Sequence, residues 1–466
     1  MKIKKTIFVC AQCGCQQPKW MGRCPECDAW NSFSEESVAS TQSSNNVSGR
    51  TQSKNNNAPT PITQIEMRPQ PRIFCGLPEL DRVVGGGLVR GSMILLSGDP
   101  GVGKSTLLLQ ALHGLACQGY KVLYASGEES NEQIKLRAER LGTLNPNILI
   151  SNETSLDTIL EASDSLKPDV LVVDSIQTVS SADLSAGPGA VSQVRDCTSR
   201  LMNHAKSKDI ITLIIGHVTK EGHIAGPKAL EHLVDTVLYL EGDATSGHRI
   251  LRAVKNRFGS TGEIGVFAMH MNGLKDVANP SALFLEGHRA GVAGSAVAVS
   301  VEGTRPLLVE IQSLVGRTSF SVPRRTVTGL DQNRFSILIA VLEKRAGLHL
   351  ATNDIYANVA GGLKIFEPAL DLALAAAVAS SLFEKPLAGR FAFFGEVGLS
   401  GEIRATSHAA LRVQEALKLG FDRIYLPASN FKQERKILVD LAMRGEREIQ
   451  LFPVESVQEV VALDRL

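Results

Sequence analysis

The chain has 466 residues, which exceeds one ordinary domain and indicates roughly two to four domains. Hydrophobic residues make up 43% and charged residues 21%, a composition typical of a soluble globular protein. The formal net charge is only +1, so any basic surface must be local. Neither a signal peptide nor an apolar run of about 18 residues is recognisable, and we therefore expect a cytoplasmic protein without a membrane partner.

Cysteines are concentrated near the start of the chain, where five of the eight lie between positions 10 and 27. Cys10-x2-Cys13 and Cys24-x2-Cys27 form two closely spaced pairs, and four thiolates suffice for a closed tetrahedral Zn²⁺ site. A unit this small has little core and needs the metal to fold. Cys15 could compete as a ligand, and a redox cluster is the alternative interpretation.

Composition changes divide the chain into four parts. We predict a four-cysteine zinc ribbon over 1–33 and a flexible Ser/Asn/Gln/Thr-rich linker over 34–66. Over 67–275, apolar strands alternate with helices, which favours an α/β core with a buried parallel sheet. Three further strands near 236–269 are expected to be antiparallel. Residues 280–466 indicate a separate α+β domain with an Ala-rich buried helix at 369–382.

The strand at 92–97 leads into Gly98-x4-Gly103-Lys104-Ser105 and then into a helix at 104–117, the context of a phosphate loop. Glycines allow backbone N–H groups to surround a phosphate, and the helix N-terminus favours negative charge. Lys104 should reach the phosphates of ATP, and the Ser105 hydroxyl should bind Mg²⁺. The predicted nucleotide-binding residues are Gly98, Asp99, Pro100, Gly101, Val102, Gly103, Lys104, Ser105 and Thr106.

Polar residues follow three other predicted strands. Asp174 could hold Mg²⁺ through water, or it could cap the next turn. Glu128 or Glu129 could activate water, although Glu is also favoured in a first helical turn. The strand that precedes Glu128 and Glu129 neighbours the phosphate-loop strand in many such sheets. His217 could sense the γ-phosphate or serve only a structural purpose.

Lys255-Asn256-Arg257-Phe258-Gly259 ends another predicted strand. By itself this segment is most simply a solvated basic turn. Taken in order, however, the cysteine pairs, the phosphate loop, this pentapeptide and the C-terminal domain resemble the bacterial RadA/Sms family, relatives of the RecA recombinase. The resemblance covers nearly the whole chain and implies a RecA-like ATPase core, a zinc ribbon and a Lon protease-like C-terminal domain.

The resemblance also implies residue roles. Tyr124-Ala125-Ser126-Gly127-Glu128 matches the segment that ends in the catalytic glutamate of RecA-like cores, so Glu128 is preferred to Glu129. Family members form ring hexamers, in which Lys255 and Arg257 would act on a neighbouring subunit's ATP. Single-stranded and branched DNA would be bound through Arg195, Lys220 and Lys228. A RecA-type recombinase would be a partner.

The C-terminal domain departs from the proteolytic pattern. Lon-type proteases use a Ser activated by a Lys. Ala369 occupies the Ser position, and no Lys lies at 409–411, so we expect no peptidase activity. The domain resembles a DNA-binding scaffold, with candidate cations at Arg305, Arg317, Arg324, Arg325, Arg334, Lys344 and Arg345.

Three functions remain to be weighed. The leading hypothesis is a DNA-dependent ATPase that translocates on single strands and promotes branch migration in recombinational repair. An ATP-dependent protease would require the absent Ser–Lys pair. A phosphotransferase or timing switch on the same core would favour duplicated cores, whereas this chain has one phosphate loop.

Overall fold

The structure is a computed structural model that describes residues 5–10, 15–26, 28–38, 61–64, 71–217, 229–242, 247–289, 291–387, 389–443 and 449–462. The chain divides into two compact units, and the main division lies between Asp276 and Val277. Within the described ranges, every helix is too short or too polar to cross a membrane.

A small three-stranded antiparallel sheet begins the first unit. Its strands are β1 (Lys5–Cys10), β2 (Gln16–Gln17) and β3 (Phe33–Val38), in the order β2-β1-β3. Strand β3 continues to Val38, past the predicted start of the linker at 34. A short 3-10 turn lies at Ile62–Gln64.

A nine-stranded sheet forms the core of the first unit. Its strands are β4 (Met93–Gly98), β5 (Val122–Ser126), β6 (Ile148–Ser151), β7 (Val170–Asp174), β8 (Ile211–His217), β9 (Thr236–Glu241), β10 (His248–Asn256), β11 (Ile264–His270) and β12 (Gly273–Asp276). Their order is β12-β11-β10-β9-β4-β8-β7-β5-β6. The connecting helices are α1 (Pro78–Val83), α2 (Lys104–Cys117), α3 (Asn131–Leu141), α4 (Leu156–Leu166), α5 (Val191–Lys208) and α6 (Ala229–Leu233).

Hydrophobic side chains explain this arrangement. Every residue of β4, β5 and β7 is buried, because helices cover both faces of a parallel sheet. One apolar cluster lies on the face that packs against α2, and a second lies on the face that packs against α5. The polar groups of the site are consequently found near the ends of these strands.

Two expectations about strand pairing are wrong. Strand β9 pairs antiparallel with β10 but parallel with β4, so the three strands at 236–269 are not all antiparallel. Strand β5 does not neighbour β4, because β8 and β7 lie between them. Both errors concern pairing between distant segments, which local periodicity does not specify.

The second unit has its own sheet of order β15-β16-β14-β13-β17-β20-β21 and a two-stranded pair β18-β19. The strands are β13 (Ser295–Glu302), β14 (Arg305–Arg317), β15 (Arg325–Thr328), β16 (Asn353–Val359), β17 (Phe391–Phe393), β18 (Glu396–Val397), β19 (Ile403–Arg404), β20 (Arg423–Pro427) and β21 (Gln450–Val454). The helices are α7 (Pro280–Phe284), α8 (Gln332–Lys344), α9 (Asp371–Leu382), α10 (Ala409–Lys418), α11 (Ala428–Met443) and α12 (Gln458–Val461), with 3-10 turns at Ala360–Gly362 and Pro368–Leu370. Helix α9 is the predicted Ala-rich helix and is buried from Asp371 to Ser381.

A buried ion pair lies inside the second unit. The side chain of Arg412 in α10 is fully buried and pairs with the Glu367 carboxylate. Arg412 also donates to the carbonyls of Val299, at 2.7 Å, and Ser407, at 2.9 Å. The guanidinium is thereby matched by acceptors, as a buried charge requires.

Glu367→Ala should destabilise the second unit, because it leaves a buried guanidinium without its counter-charge. Removing one partner of such a pair costs on the order of 3 kcal/mol. The measurement is the thermal unfolding midpoint of the full chain.

Lys432→Ala provides the matched control. Its pair with Glu455 has a 2.9 Å separation and side chains 73% and 72% exposed, and such pairs contribute about 1 kcal/mol or less. Equal midpoints for the two variants would contradict the argument.

Candidate nucleotide-binding site

The loop between β4 and α2 requires glycine at both ends. Gly98 has φ 146°, and a Cβ there would lie 2.3 Å from the Leu240 carbonyl oxygen. Gly103 has φ 115°, and a Cβ there would lie 2.9 Å from the Met269 methyl group. A side chain at position 98 would therefore collide with the backbone of β9, whereas at position 103 the positive φ is the stronger reason for glycine, since the Met269 methyl group can move.

Lys104 begins α2 and is buried at the base of this loop. Its Nζ donates to the carbonyls of Gly98, at 2.9 Å, and Asp99, at 3.0 Å. Burial lowers the pKa of Lys104, and the nearby carboxylates of Asp174 and Glu128 oppose this shift. The ammonium thus lies among acceptors that hold it beside the loop.

Asp174 is buried at the end of β7, opposite the first turn of α2. Its Oδ2 accepts hydrogen bonds from the Ser105 hydroxyl, at 3.3 Å, and from the Tyr124 hydroxyl, at 2.6 Å. Burial raises the pKa of Asp174, while the Tyr124 hydrogen bond lowers it. The structure therefore brings Ser105 and Asp174 together.

The two adjacent glutamates have different surroundings. Glu129 forms an ion pair with Arg137 of α3 and is held by Ser126 through its backbone. Glu128 instead accepts a hydrogen bond from the Ser175 hydroxyl, at 2.5 Å, directly after Asp174. Glu128 thus faces the phosphate-loop side, and Glu129 is engaged in fixing α3.

Three residues near the loop were not found from the sequence. Tyr124 and Ser175 contact the two carboxylates described above, and the buried Arg249 of β10 donates its Nε to the Val102 carbonyl at 2.9 Å. Tyr124 in the largely apolar strand β5 is the available signal, because buried polar groups require partners. Strand β10 carries several polar residues, so Arg249 does not stand out in the sequence. The identity of those partners depends on the tertiary fold.

Other predicted residues lie around the same edge. The backbone of His217 ends β8 in register with Gly98, but its side chain lies outside the described residues. Thr106 lies half-buried in the first turn of α2. Arg195 is exposed near the start of α5, whereas Lys220 and Lys228 lie outside the described residues.

Lys255 and Arg257 lie at the opposite edge of the sheet. The Lys255 ammonium donates to the Glu231 carbonyl, at 2.5 Å, and to the Val234 carbonyl, at 2.8 Å. Arg257 pairs with Asp235, at 3.1 Å, and Asp235 accepts from the backbone of Met93, where β4 begins. Since β4 spans six residues, or roughly 17 Å at the usual strand rise, neither cation approaches its own phosphate loop.

The cysteine unit is described in part. Cys10 and Cys24 are fully buried and pack with Phe33, while Cys15 is half-buried beside them. Cys13 and Cys27 lie outside the described residues. Two buried thiols in so small a core fit a structural zinc site, and the position of Cys15 leaves its competition as a ligand open.

In the second unit, Ala369 is buried in the turn Pro368–Leu370 and offers no nucleophile. Arg412 follows the predicted lysine segment and is bound to Glu367. Arg334, one of the candidate cations for DNA contacts, pairs with Asp371 and, at 3.3 Å, with Glu396. Its side chain fixes α8 to α9.

Family models match three parts of the chain. They are an AAA domain over 66–223, a rubredoxin metal binding domain over 8–35 and the subunit ChlI of Mg-chelatase over 318–430. Among solved structures, one ATPase domain is 16% identical with a TM-score of 0.39, covering 44% of this chain and 90% of that one. A KaiC-like protein from Pyrococcus horikoshii OT3 is 20% identical with a TM-score of 0.38, covering 45% and 100%.

Full-length relatives are much more similar. The DNA repair protein RadA of Bacillus subtilis (strain 168) is 53% identical over 430 residues, covering 92% of this chain and 94% of the relative. The proteins of the same name from Listeria monocytogenes and Streptococcus pyogenes serotype M3 are 53% and 52% identical, each covering 92% of this chain and 93% of the relative. The chain therefore belongs to the RadA family of DNA repair proteins, with a RecA-like P-loop ATPase core, an N-terminal zinc ribbon and a Lon protease-like C-terminal domain.

Proposed function

We propose that this protein is a DNA-dependent ATPase that translocates on single-stranded DNA and promotes branch migration of recombination intermediates. The observation that carries the proposal is the convergence of Lys104, Asp174 and Glu128 at one sheet edge. These are the cation, metal-side carboxylate and base that phosphoryl transfer to water requires. The relatives' shared name, DNA repair protein, supports DNA as the polymer.

Each residue has a role in the proposed reaction. Backbone N–H groups of the loop from Gly98 to Ser105, to which Pro100 contributes none, surround the phosphates. Thr106 continues the first helical turn. Lys104 exchanges its bonds to the loop carbonyls for bonds to phosphate oxygens. Mg²⁺, held by Ser105 and Asp174, would neutralise charge on the phosphates. Glu128 accepts the proton of the attacking water, and His217 ends the strand beside the loop.

The distribution of cations supports a second part of the proposal. Lys255 and Arg257 lie at the edge remote from their own phosphate loop, so they can act on nucleotide only across an interface between subunits. A repeated head-to-tail interface forms a ring when the rotation between subunits closes, and we propose a homo-hexamer of this kind. Both cations would exchange their present acceptors for phosphate oxygens of the neighbouring subunit.

The remaining assignments complete the proposal. Single-stranded and branched DNA would be bound at Arg195, Lys220 and Lys228, with a RecA-type recombinase as partner in the cytoplasm. Cys10, Cys13, Cys24 and Cys27 would hold Zn²⁺. The buried Ala369 and the arginine near the lysine position support a scaffold that is not a peptidase.

Glu128→Gln should abolish ATP turnover while nucleotide binding persists. Loss of the base should lower kcat by about 100-fold or more, because general bases contribute that much. Glu129→Gln removes the same charge one residue away and should retain most activity, since Glu129 pairs with Arg137. Steady-state phosphate release and binding of a fluorescent ADP measure the two effects, and equal kcat values for the two variants would refute the assignment.

Two inactive variants should complement each other if Lys255 acts in trans. Lys255→Ala retains the phosphate loop, and Lys104→Ala retains the trans cation. In an equimolar mixture about a quarter of head-to-tail interfaces combine one intact half from each variant. Phosphate release should then recover towards that fraction of the parental rate. Persistent inactivity of a mixture shown to exchange subunits would contradict the action of Lys255 in trans.

Single-stranded DNA should stimulate ATP turnover, and Arg195→Ala should weaken binding. The salt dependence of binding should fall by about 0.7 in log–log slope, the value for one phosphate contact on a single strand. Lys206→Ala, an exposed cation in the last turn of the same helix, is the control and should leave the slope unchanged. An unstimulated parent would exclude the DNA-dependent motor. Unchanged binding in Arg195→Ala would exclude only this contact.

A further inference from the structure

We propose that Tyr124 is a positioning residue for the metal side of the nucleotide site. Its hydroxyl fixes the Asp174 carboxylate, which in turn orients the Ser105 hydroxyl. The inference rests on the proposed ATP and Mg²⁺ site, and it concerns a residue to which neither the sequence patterns nor the family resemblance gave a role in the chemistry.

The position of Tyr124 follows from the sheet. Strands β5 and β7 are parallel neighbours, with Tyr124 opposite Val172 and Ser126 opposite Asp174. Tyr124 is only 1% exposed, and its ring belongs to the apolar cluster beneath α2. A phenol is long enough to reach from inside this cluster to the strand end, and its oxygen lies 2.6 Å from Asp174 Oδ2.

One oxygen of the Asp174 carboxylate accepts hydrogen bonds from two donors. Asp174 Oδ2 also accepts from the Ser105 hydroxyl at 3.3 Å. A serine whose proton is directed at a carboxylate presents its lone pairs elsewhere, as a metal ligand must. The Tyr124 hydrogen bond limits rotation of that carboxylate, so it also sets where the Ser105 proton points.

The contribution of the Tyr124 hydroxyl can be measured separately from that of the ring. Tyr124→Phe removes one oxygen and preserves the packing in the core. Tyr425→Phe makes the same change at a tyrosine that is 2% exposed in the second unit, and it serves as the matched control. If the Tyr124 hydroxyl were purely structural, its removal would lower stability but would change nucleotide binding equally with and without Mg²⁺.

The experiment measures binding of mant-ADP to the full chain in Mg²⁺ and in EDTA. Tyr124→Phe should raise the Kd about 10-fold in Mg²⁺, the usual effect of losing a group that orients a metal ligand, and leave the Kd in EDTA unchanged. Tyr425→Phe should match the parent in both buffers. The shift in thermal midpoint caused by ADP, compared between the same buffers, reports the effect independently of intrinsic stability.

Two results would overturn the inference: equal Kd values for Tyr124→Phe and the parent in Mg²⁺, or an equal loss of affinity in EDTA. A double variant provides a further test, because Tyr124→Phe added to Asp174→Asn should cause no further Mg²⁺-dependent loss. Full additivity would show that Tyr124 does not act through Asp174. If the parent itself shows no Mg²⁺ dependence, the proposed nucleotide site fails first.

Discussion

The carboxyl edge of the parallel strands constrains everything else in the first unit. Strands β4, β5 and β7 are buried along their whole length, so the groups that can contact a ligand lie where the strands end. Neighbouring strands lie about 4.8 Å apart, which places the end of β7 two positions from the phosphate loop. Hydrogen bonds span the remaining distances: Ser105 reaches Asp174 from α2, and Ser175 reaches Glu128 across the β5–β7 pair. The site is therefore a consequence of burying the sheet on both faces.

The opposite edge of the same sheet carries two cations, Lys255 and Arg257. Lys255 and Arg257 are bound there by the carbonyls of Glu231 and Val234 and by the Asp235 carboxylate. Asp235 also accepts from the first residue of β4, so the rigid strand that ends at the phosphate loop begins beside the cations. A molecule with anion-binding loops at one edge and cations at the other suits heterologous assembly, in which unlike surfaces meet. Under the proposed action of Lys255 in trans, a site confined to one subunit would be incomplete.

Local sequence patterns predict where helices and strands lie. The pairing of the strands and the contacts of the site residues depend on the tertiary fold. The predicted helix at 104–117 matches α2, because the glycine loop marks where it begins. The RadA family resemblance and the fold class are confirmed. The direction of β9 and the separation of β5 from β4 depend on partners far along the chain. Glu128 could be preferred only by resemblance, since adjacent glutamates differ in contacts that exist only after Arg137 and Ser175 are placed.

In the second unit, a buried ion pair lies beside the turn that carries Ala369. The Glu367 carboxylate accepts from Arg412, from the Ser300 hydroxyl at 2.7 Å and from the Val301 backbone at 2.8 Å. Arginine remains protonated in proteins, so Arg412 cannot serve as the neutral base that activates a serine. A charged, fully buried group with its acceptors already in place has a structural function. The ion pair between Arg412 and Glu367 thus stabilises the turn that carries Ala369, and this supports the scaffold role proposed for the second unit.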